Sequence, residues 1–341
     1  MKAIFSQAQL GSQLETNTLM PSFRMDTRTS PPDVFKDLSQ LDFSKLSWKD
    51  LGKPFEVKNL SKDRLAWEQE HQQTMPVLVQ WQNFNKNFHE IFLKDLPAEQ
   101  TRTSKQVLQR LKTFDITHLP EELQEWLEVR VWNKVHRLED AVWDPRGKRS
   151  LFEGLEVKRP RILFLGAAEG YEAMQLSAMY PGGEVILVDY DDFCRTDRFG
   201  KFPESYPFLG KNPATNTWDV YHREDFTVHY EVADIRNLTY GAEFDIVLSV
   251  GLLEHFPDSL KPEVVDWHRK FVKPGGYVVM TTPRNQLKGR LFYTVMGRLM
   301  NYGYRELMTA EQMGLYAFES GLEILRLGYI KAHNGLVARV R

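Results

Sequence analysis

Five residues, Gly166-Ala167-Ala168-Glu169-Gly170, join a short apolar run to a helical pattern. A glycine-rich turn between strand and helix lets backbone approach a ligand closely, because glycine has no Cβ. The next apolar run ends in Val188-Asp189-Tyr190, with Asp189 nineteen residues after Gly170. An acidic side chain at that place can accept hydrogen bonds from both hydroxyls of a ribose. Asp191 and Asp192 follow at once and offer the same chemistry. A third run ends in Ala233-Asp234-Ile235, and a fourth, Phe244 to Ser249, continues into Val250-Gly251-Leu252-Leu253-Glu254-His255-Phe256. An imidazole titrates in a useful range, so His255, with Glu254 beside it, is a candidate general base. The plainer reading of that turn is a histidine that packs or caps a helix.

These residues need a scaffold that brings strand ends together. After residue 155 the chain alternates apolar runs with helical segments. Runs that are apolar throughout are buried on both faces, as in a parallel sheet. The pattern predicts strands at Arg161–Leu165, Glu184–Val188, Val228–Val232, Asp245–Val250, Tyr277–Thr281, Glu323–Tyr329 and Leu336–Val340, with turns at Pro181-Gly182-Gly183 and Pro274-Gly275-Gly276. Before residue 155 the pattern is helical. Val77, Leu78, Trp81, Phe84, Phe88, Ile91 and Phe92 share one helical face. A short helix is predicted after Ser104 and another from Pro120 to about Asp144. Residues 1–60 read as an irregular arm, 61–154 as a helical cap and 155–341 as the α/β domain. Insertions are expected at about 193–226 and 283–308. The second insertion is basic (Arg284, Lys288, Arg290, Arg298, Arg305) and aromatic (Phe292, Tyr293, Tyr302, Tyr304). It reads as a solvated helix, as a lid over an acidic or aromatic small molecule, or as an RNA-facing patch.

Composition sets bounds. The 341 residues carry 44 Lys+Arg against 46 Asp+Glu, net −2, so a surface built to coat nucleic acid or an anionic membrane is not expected. The one cysteine, Cys194, excludes an internal disulfide and a cysteine-rich zinc site, and fits a reducing cytoplasm. No metal site is expected. The longest apolar stretch, Ile246 to Leu253, falls far short of the ~20 residues that span a bilayer. The start lacks the apolar core of a secretory signal. A cytoplasmic protein, monomer or homodimer, is expected.

The ordered motifs together resemble the class I S-adenosylmethionine-dependent methyltransferases over residues 155–341. The resemblance implies a Rossmann-like seven-stranded, mostly parallel sheet with helices on both faces, its last strand antiparallel, beneath the N-terminal helical cap. It implies S-adenosyl-L-methionine as cofactor. Gly166, Ala168 and Gly170 match the cofactor loop, and Asp189, with Tyr190 beside it, the ribose ligand. Asp234 matches the ligand of the adenine amino group, with Ile235 beside the ring. Ser249 and Val250 fall where the chain passes the methionine portion. Two positions depart from the pattern: Phe164 stands where an acid is frequent, and Ala168 replaces the middle glycine. Glu169 is then the available partner for the methionine ammonium.

The implied activity is methyl transfer to an oxygen or nitrogen of a small-molecule metabolite, aromatic or acidic in character. No Asn/Asp-Pro-Pro-Tyr motif follows the fourth strand, and no Pro-Cys nucleophile for base methylation is present. The rival readings are an aminopropyl transferase or cyclase on the same fold, an RNA or protein methyltransferase, and a non-catalytic binding protein.

Overall fold

Two interleaved sets of apolar residues decide the architecture. Ile162, Phe164, Val185, Leu187, Ile246 and Leu248 bury on one face of the sheet. Leu163, Leu165, Ile186, Val188 and Val247 bury on the other. Alternate side chains of a strand point to opposite faces, so a strand apolar at every position needs cover on both sides.

The computed structural model describes residues 4–5, 37–57, 62–93, 112, 147–202, 204, 206–211, 215, 217–300 and 303–340. Its first elements are β1 (Ile4–Phe5), α1 (Trp48–Leu51), β2 (Phe55–Glu56), α2 (Lys62–His71), α3 (Val77–Leu93) and α4 (Lys148–Phe152). Then come β3 (Arg161–Leu165), α5 (Tyr171–Met179), β4 (Glu184–Asp189), β5 (Phe208–Lys211), β6 (Trp218–Tyr221), β7 (Thr227–Val232) and β8 (Phe244–Val250). The chain continues through α6 (Lys261–Phe271), β9 (Val272–Pro283), α7 (Leu287–Met300), β10 (Glu306–Leu307), α8 (Ala310–Glu319), β11 (Leu322–Ile330) and β12 (His333–Val340).

The main sheet has seven strands in the order β11-β12-β9-β8-β3-β4-β7. Neighbours from β9 to β7 run parallel. The last strand, β12, is antiparallel to both β9 and β11. All seven predicted strands are present, and this is the expected Rossmann-like α/β sheet. Helix α5 packs on the first face; α6 and α8 pack on the second. Among the described residues no helix is long and apolar enough to cross a membrane.

Three details differ from expectation. The Pro274-Gly275-Gly276 turn is absorbed into β9. Phe244 pairs with Val272 and Ile246 with Tyr277, so Lys273 to Gly276 bulge opposite Asp245. Gly275 takes the left-handed φ of +77° that such a bulge requires. Residues 37–57, expected to be part of an irregular arm, dock on the domain. Leu38 and Phe43 lie in the second core, and a Cβ on Gly314 would stand 2.5 Å from Phe43. Finally, Leu151 and Phe152 of α4 are fully buried in the first core, so the packed domain begins before residue 155.

The first insertion is largely structural. Phe202, Tyr206 and Phe208 join Tyr171 of α5 in a cluster of rings with centroids 5.1–6.5 Å apart. The second insertion carries α7 and then β10, which pairs with β2. The helices predicted after Ser104 and from Pro120, the Arg298 side chain and Tyr302 lie outside the described residues.

Candidate functional site

The parallel register aligns the strand tips. Leu165 pairs with Val188 on one side and Ser249 on the other, and Asp189 pairs with Val232. Three bonds carry the alignment past the strand ends. Ala167 N–H donates to Val188 O, Ala233 N–H to Asp189 O, and Gly251 N–H to Thr281 O, each at 3.0 Å. Gly166 to Gly170, Asp189, Tyr190, Asp234, Ile235, Val250 and Glu254 therefore share one edge of the sheet. Ligands of open α/β sheets bind at this carboxyl edge.

The glycine-rich loop turns by alternate left-handed residues: Gly166 at φ +67°, Ala168 at +48° and Gly170 at +76°. A Cβ on Gly170 would lie 2.4 Å from Leu187 Cδ1, so that position needs glycine for space as well as for φ. Ala168 adopts its φ with a Cβ, and is held there from both sides. Its N–H donates to Asp189 Oδ2 at 3.0 Å, and its carbonyl accepts from Tyr230 O–H at 2.8 Å. A left-handed Cβ costs roughly 1–2 kcal/mol, and glycine returns roughly 0.5–1 of that as chain entropy. Ala168→Gly is therefore expected to stabilise the fold by about 0.5–1 kcal/mol. A higher urea midpoint would show it; a lower one would mean the methyl packs favourably.

Asp189 is buried, and burial pushes its carboxyl up, opposed by hydrogen bonds from the Ala168 and Asp191 N–H groups. Those two bonds leave lone pairs on both oxygens. A ribose with vicinal hydroxyls fits that remaining capacity. Asp234 caps the turn after β7, accepting from Arg236 N–H at 2.9 Å. Its pairing with the Arg236 guanidinium holds its carboxyl below the usual range. Tyr190, 38% exposed, follows Asp189 at this edge, and burial with the charges of Asp189, Asp191 and Asp234 raises its hydroxyl pKa. Ile235 packs against the second core.

Ser249 turns its side chain away from the edge. Its hydroxyl lies 2.8 Å from His268 Nε2 on α6, both residues are fully buried, and His268 Nδ1 lies 2.8 Å from Val264 O. Burial takes His268 down to about 4, so the ring is neutral. The Ser249 side chain thus faces the helix layer, leaving only its backbone at the edge. Val250 points to the opposite face and packs on the first core.

A buried polar chain crosses from the cap to the loop. Asn85 of α3 donates to Asp191 Oδ2 at 2.7 Å, and its own oxygen accepts from Arg198 Nη1 at 2.7 Å. Arg198 also pairs with Glu169 and lies 4.4 Å over the Phe88 ring. Glu169 is therefore engaged by Arg198. Asn85 was missed in the sequence, although a signal was present: it sits between Trp81 and Phe88 at helical spacing, a polar residue in an apolar stripe.

The turn after β8 carries the other candidates. Gly251 has φ +70°, and a Cβ there would lie 3.1 Å from Glu254 Oε1. His255 Nδ1 lies 2.9 Å from Tyr304 O, and Nε2 lies 3.7 Å from Glu254 Oε1. The ring stands edge-on to Trp81 at 4.3 Å. Burial drives its pKa well below the usual value, so it is neutral and held on both sides by protein atoms. Glu254 is 1% exposed, its Oε2 has no hydrogen-bond partner among the described residues, and burial raises its pKa to about 7. Arg305 faces it at 3.9 Å, too long for a hydrogen bond.

A pH signature follows. Glu254 holds its proton in the fold up to about 7, whereas its unperturbed value is 4.5. The folded state therefore binds more protons across that window, and stability falls as pH rises through it. Relative to Glu254→Gln, the native chain is expected to lose about 3 kcal/mol between these pH values, at ~1.4 kcal/mol per unit. Parallel denaturation curves for the two proteins would contradict this.

Among the described residues no group of three His, Cys, Asp or Glu side chains could hold a metal ion. A sequence-family profile described as "Methyltransferase domain" matches residues 123–327. A ubiquinone biosynthesis O-methyltransferase of Paraburkholderia phymatum is 30% identical over 121 residues, which are 33% of this chain and 51% of that protein. The chain thus spans about half the length of this curated relative. Human N-acetylserotonin methyltransferase, solved with SAM, shares 14% identity at a TM-score of 0.42, over 76% of this chain and 66% of that one. The 1,6-didemethyltoxoflavin-N1-methyltransferase of Burkholderia thailandensis shares 12% at 0.40, over 72% and 93%.

Proposed function

The chain belongs to the methyltransferase-domain family, and from that premise we propose that it is an enzyme transferring a methyl group from S-adenosyl-L-methionine to an oxygen or nitrogen of a small molecule. The observation that carries the reading is the shared edge: a left-handed glycine-rich loop pinned to a buried acid, beside a second acid one strand away. When bound, the sulfonium supplies the electrophilic carbon and the leaving group. The protein's part is to hold, align and exclude water.

Asp189 would grip the ribose through its unused lone pairs, and Tyr190 and Ile235 would flank the adenine. Asp234 would take the adenine amino group, sharing its carboxylate with Arg236. The loop from Gly166 to Gly170 would approach the cofactor by backbone. Ser249, Val250 and Gly251 would pass the methionine portion by backbone, and Glu169 would meet its ammonium only by sharing a carboxylate already paired with Arg198. Trp81, Phe84 and Phe88 of α3 support a cap role for residues 61–154, because Asn85 and Trp81 fasten that helix to the edge. Glu254, with its unsatisfied oxygen, is the better placed proton acceptor. His255 positions it, through the contacts with Tyr304 and Trp81.

Titration calorimetry with S-adenosyl-L-methionine tests the reading. One-to-one binding with a raised melting temperature is expected. No heat and no thermal shift would overturn it. Mass spectrometry of an extract incubated with the enzyme should then show an acceptor heavier by one methylene unit.

A further inference from the structure

Two buried side chains of opposite charge carry unpaired polar atoms near the tip of β8. Glu254 Oε2 lacks a hydrogen-bond donor, and Arg305 Nε–H lacks an acceptor, among the described residues. The nearest approach between the two side chains, Arg305 Nη1 to Glu254 Oε1, is 3.9 Å, so they face each other without closing a bidentate pair. Arg305 is 7% exposed and Glu254 1%. Buried polar atoms left without partners are rare in folded proteins, and each is destabilising. Here an oxygen that needs a donor and an N–H that needs an acceptor belong to side chains that approach to 3.9 Å. Each residue has an aromatic ring near it: the Tyr293 centroid lies 4.4 Å from the Arg305 guanidinium, and Trp81 stands edge-on to His255, the chain neighbour of Glu254.

We propose that Glu254 and Arg305 form the acceptor subsite, that the atom methylated is the oxygen of a phenol-type hydroxyl, and that Arg305 is the residue that selects oxygen over nitrogen. The proposal rests on the methyl-transfer reading above and deepens it. A hydroxyl satisfies both orphans at once, donating to Glu254 Oε2 and accepting from Arg305 Nε–H. In the transfer the acceptor oxygen forms a bond to the methyl carbon, and the S–CH3 bond breaks with its electron pair left on sulfur. The hydroxyl proton passes to Glu254 Oε2 and from there to solvent, so charge and atoms balance. Negative charge develops on the oxygen as the proton leaves, and the guanidinium stabilises it. An amine acceptor gains positive charge as it attacks, which the same guanidinium opposes. The flanking rings suit a flat aromatic acceptor.

The probes are 4-ethylphenol, 4-ethylaniline and 4-nitrophenol, the last ionised at neutral pH. With S-adenosyl-L-methionine, methyl transfer to 4-ethylphenol is expected to exceed transfer to 4-ethylaniline at least ~10-fold. Glu254→Gln should slow the reaction of 4-ethylphenol by about 10²–10⁴-fold, and slow that of 4-nitrophenol far less, because no proton need be removed. A second readout needs no cofactor: in mildly acidic buffer, where free 4-nitrophenol is largely protonated, the bound phenol should shift toward its phenolate absorbance, and Arg305→Met should abolish that shift. Equal or faster transfer to the aniline overturns the proposal. So does no transfer to either acceptor, equal loss on both phenols in Glu254→Gln, or an unchanged absorbance shift in Arg305→Met. Intact heat of S-adenosyl-L-methionine binding in any of those cases leaves the methyl-donor site standing, and its loss in the native chain marks failure of the broader reading instead.

Discussion

Asp189→Ala is expected to weaken S-adenosyl-L-methionine binding by about 10–100-fold and to lower stability as well. Hydrogen bonds to a charged group are worth about 1.5–3 kcal/mol, and ~1.4 kcal/mol is tenfold in affinity. The stability change has a separate origin. Asp189 accepts from the N–H of Ala168, the one loop residue that takes a left-handed φ with a side chain. Removing the carboxylate leaves that N–H unsatisfied beside a strained turn, at a cost of about 1 kcal/mol after relief of the buried charge. Asp189→Asn keeps an acceptor for Ala168 and should restore stability while recovering only part of the affinity. Calorimetry and urea unfolding on both variants separate the effects. Unchanged affinity in the alanine variant would remove Asp189 from the cofactor site.

Glu306→Gln should be the most damaging single change to the fold around the acceptor side, costing about 3–5 kcal/mol. Lys261 is fully buried, and its ammonium is held by the Glu306 carboxylate and the Phe256 carbonyl. Burial lowers the lysine pKa and Glu306 raises it back. With glutamine at 306, a desolvated cation keeps only the Phe256 carbonyl and a neutral amide. The pair also fastens the segment carrying Arg305 to α6, just past the β8 turn. Replacing both members, Lys261→Met with Glu306→Gln, should recover most of the loss, because no uncompensated charge remains. An unfolding free energy for Glu306→Gln within about 1 kcal/mol of the native chain, from urea titration, would show that water reaches the pair.

Five of the seven main strands were legible in the sequence because each carries an apolar run too short for a helix, and the two edge strands, β7 and β11, because apolar residues recur between polar ones. The glycine loop and the acids at 189 and 234 were legible for a related reason: spacing along the chain fixes which residues emerge at strand ends. The arm before residue 60 was not. Among the described residues its contribution is Leu38, Phe43 and a few residues of short helix and strand, and no periodicity arises from such short elements. Asn85 was readable in principle, as the polar residue inside an aromatic stripe. Its partner Asp191 was not, being 106 residues away.

By itself, then, the sequence determined the sheet, its parallel sense and the edge where a ligand must lie, since these follow from local pattern and strand connectivity. The tertiary structure alone decided which way individual side chains turn. A strand buried on both faces gives no pattern to tell one face from the other, so only packing shows that Ser249 faces His268 and Val250 the first core. Likewise the sequence put Glu254 and His255 side by side. Packing gave His255 its protein partners and left Glu254 an open oxygen opposite Arg305, because those contacts come from Tyr304, Trp81 and Arg305, segments that only folding brings to the β8 turn.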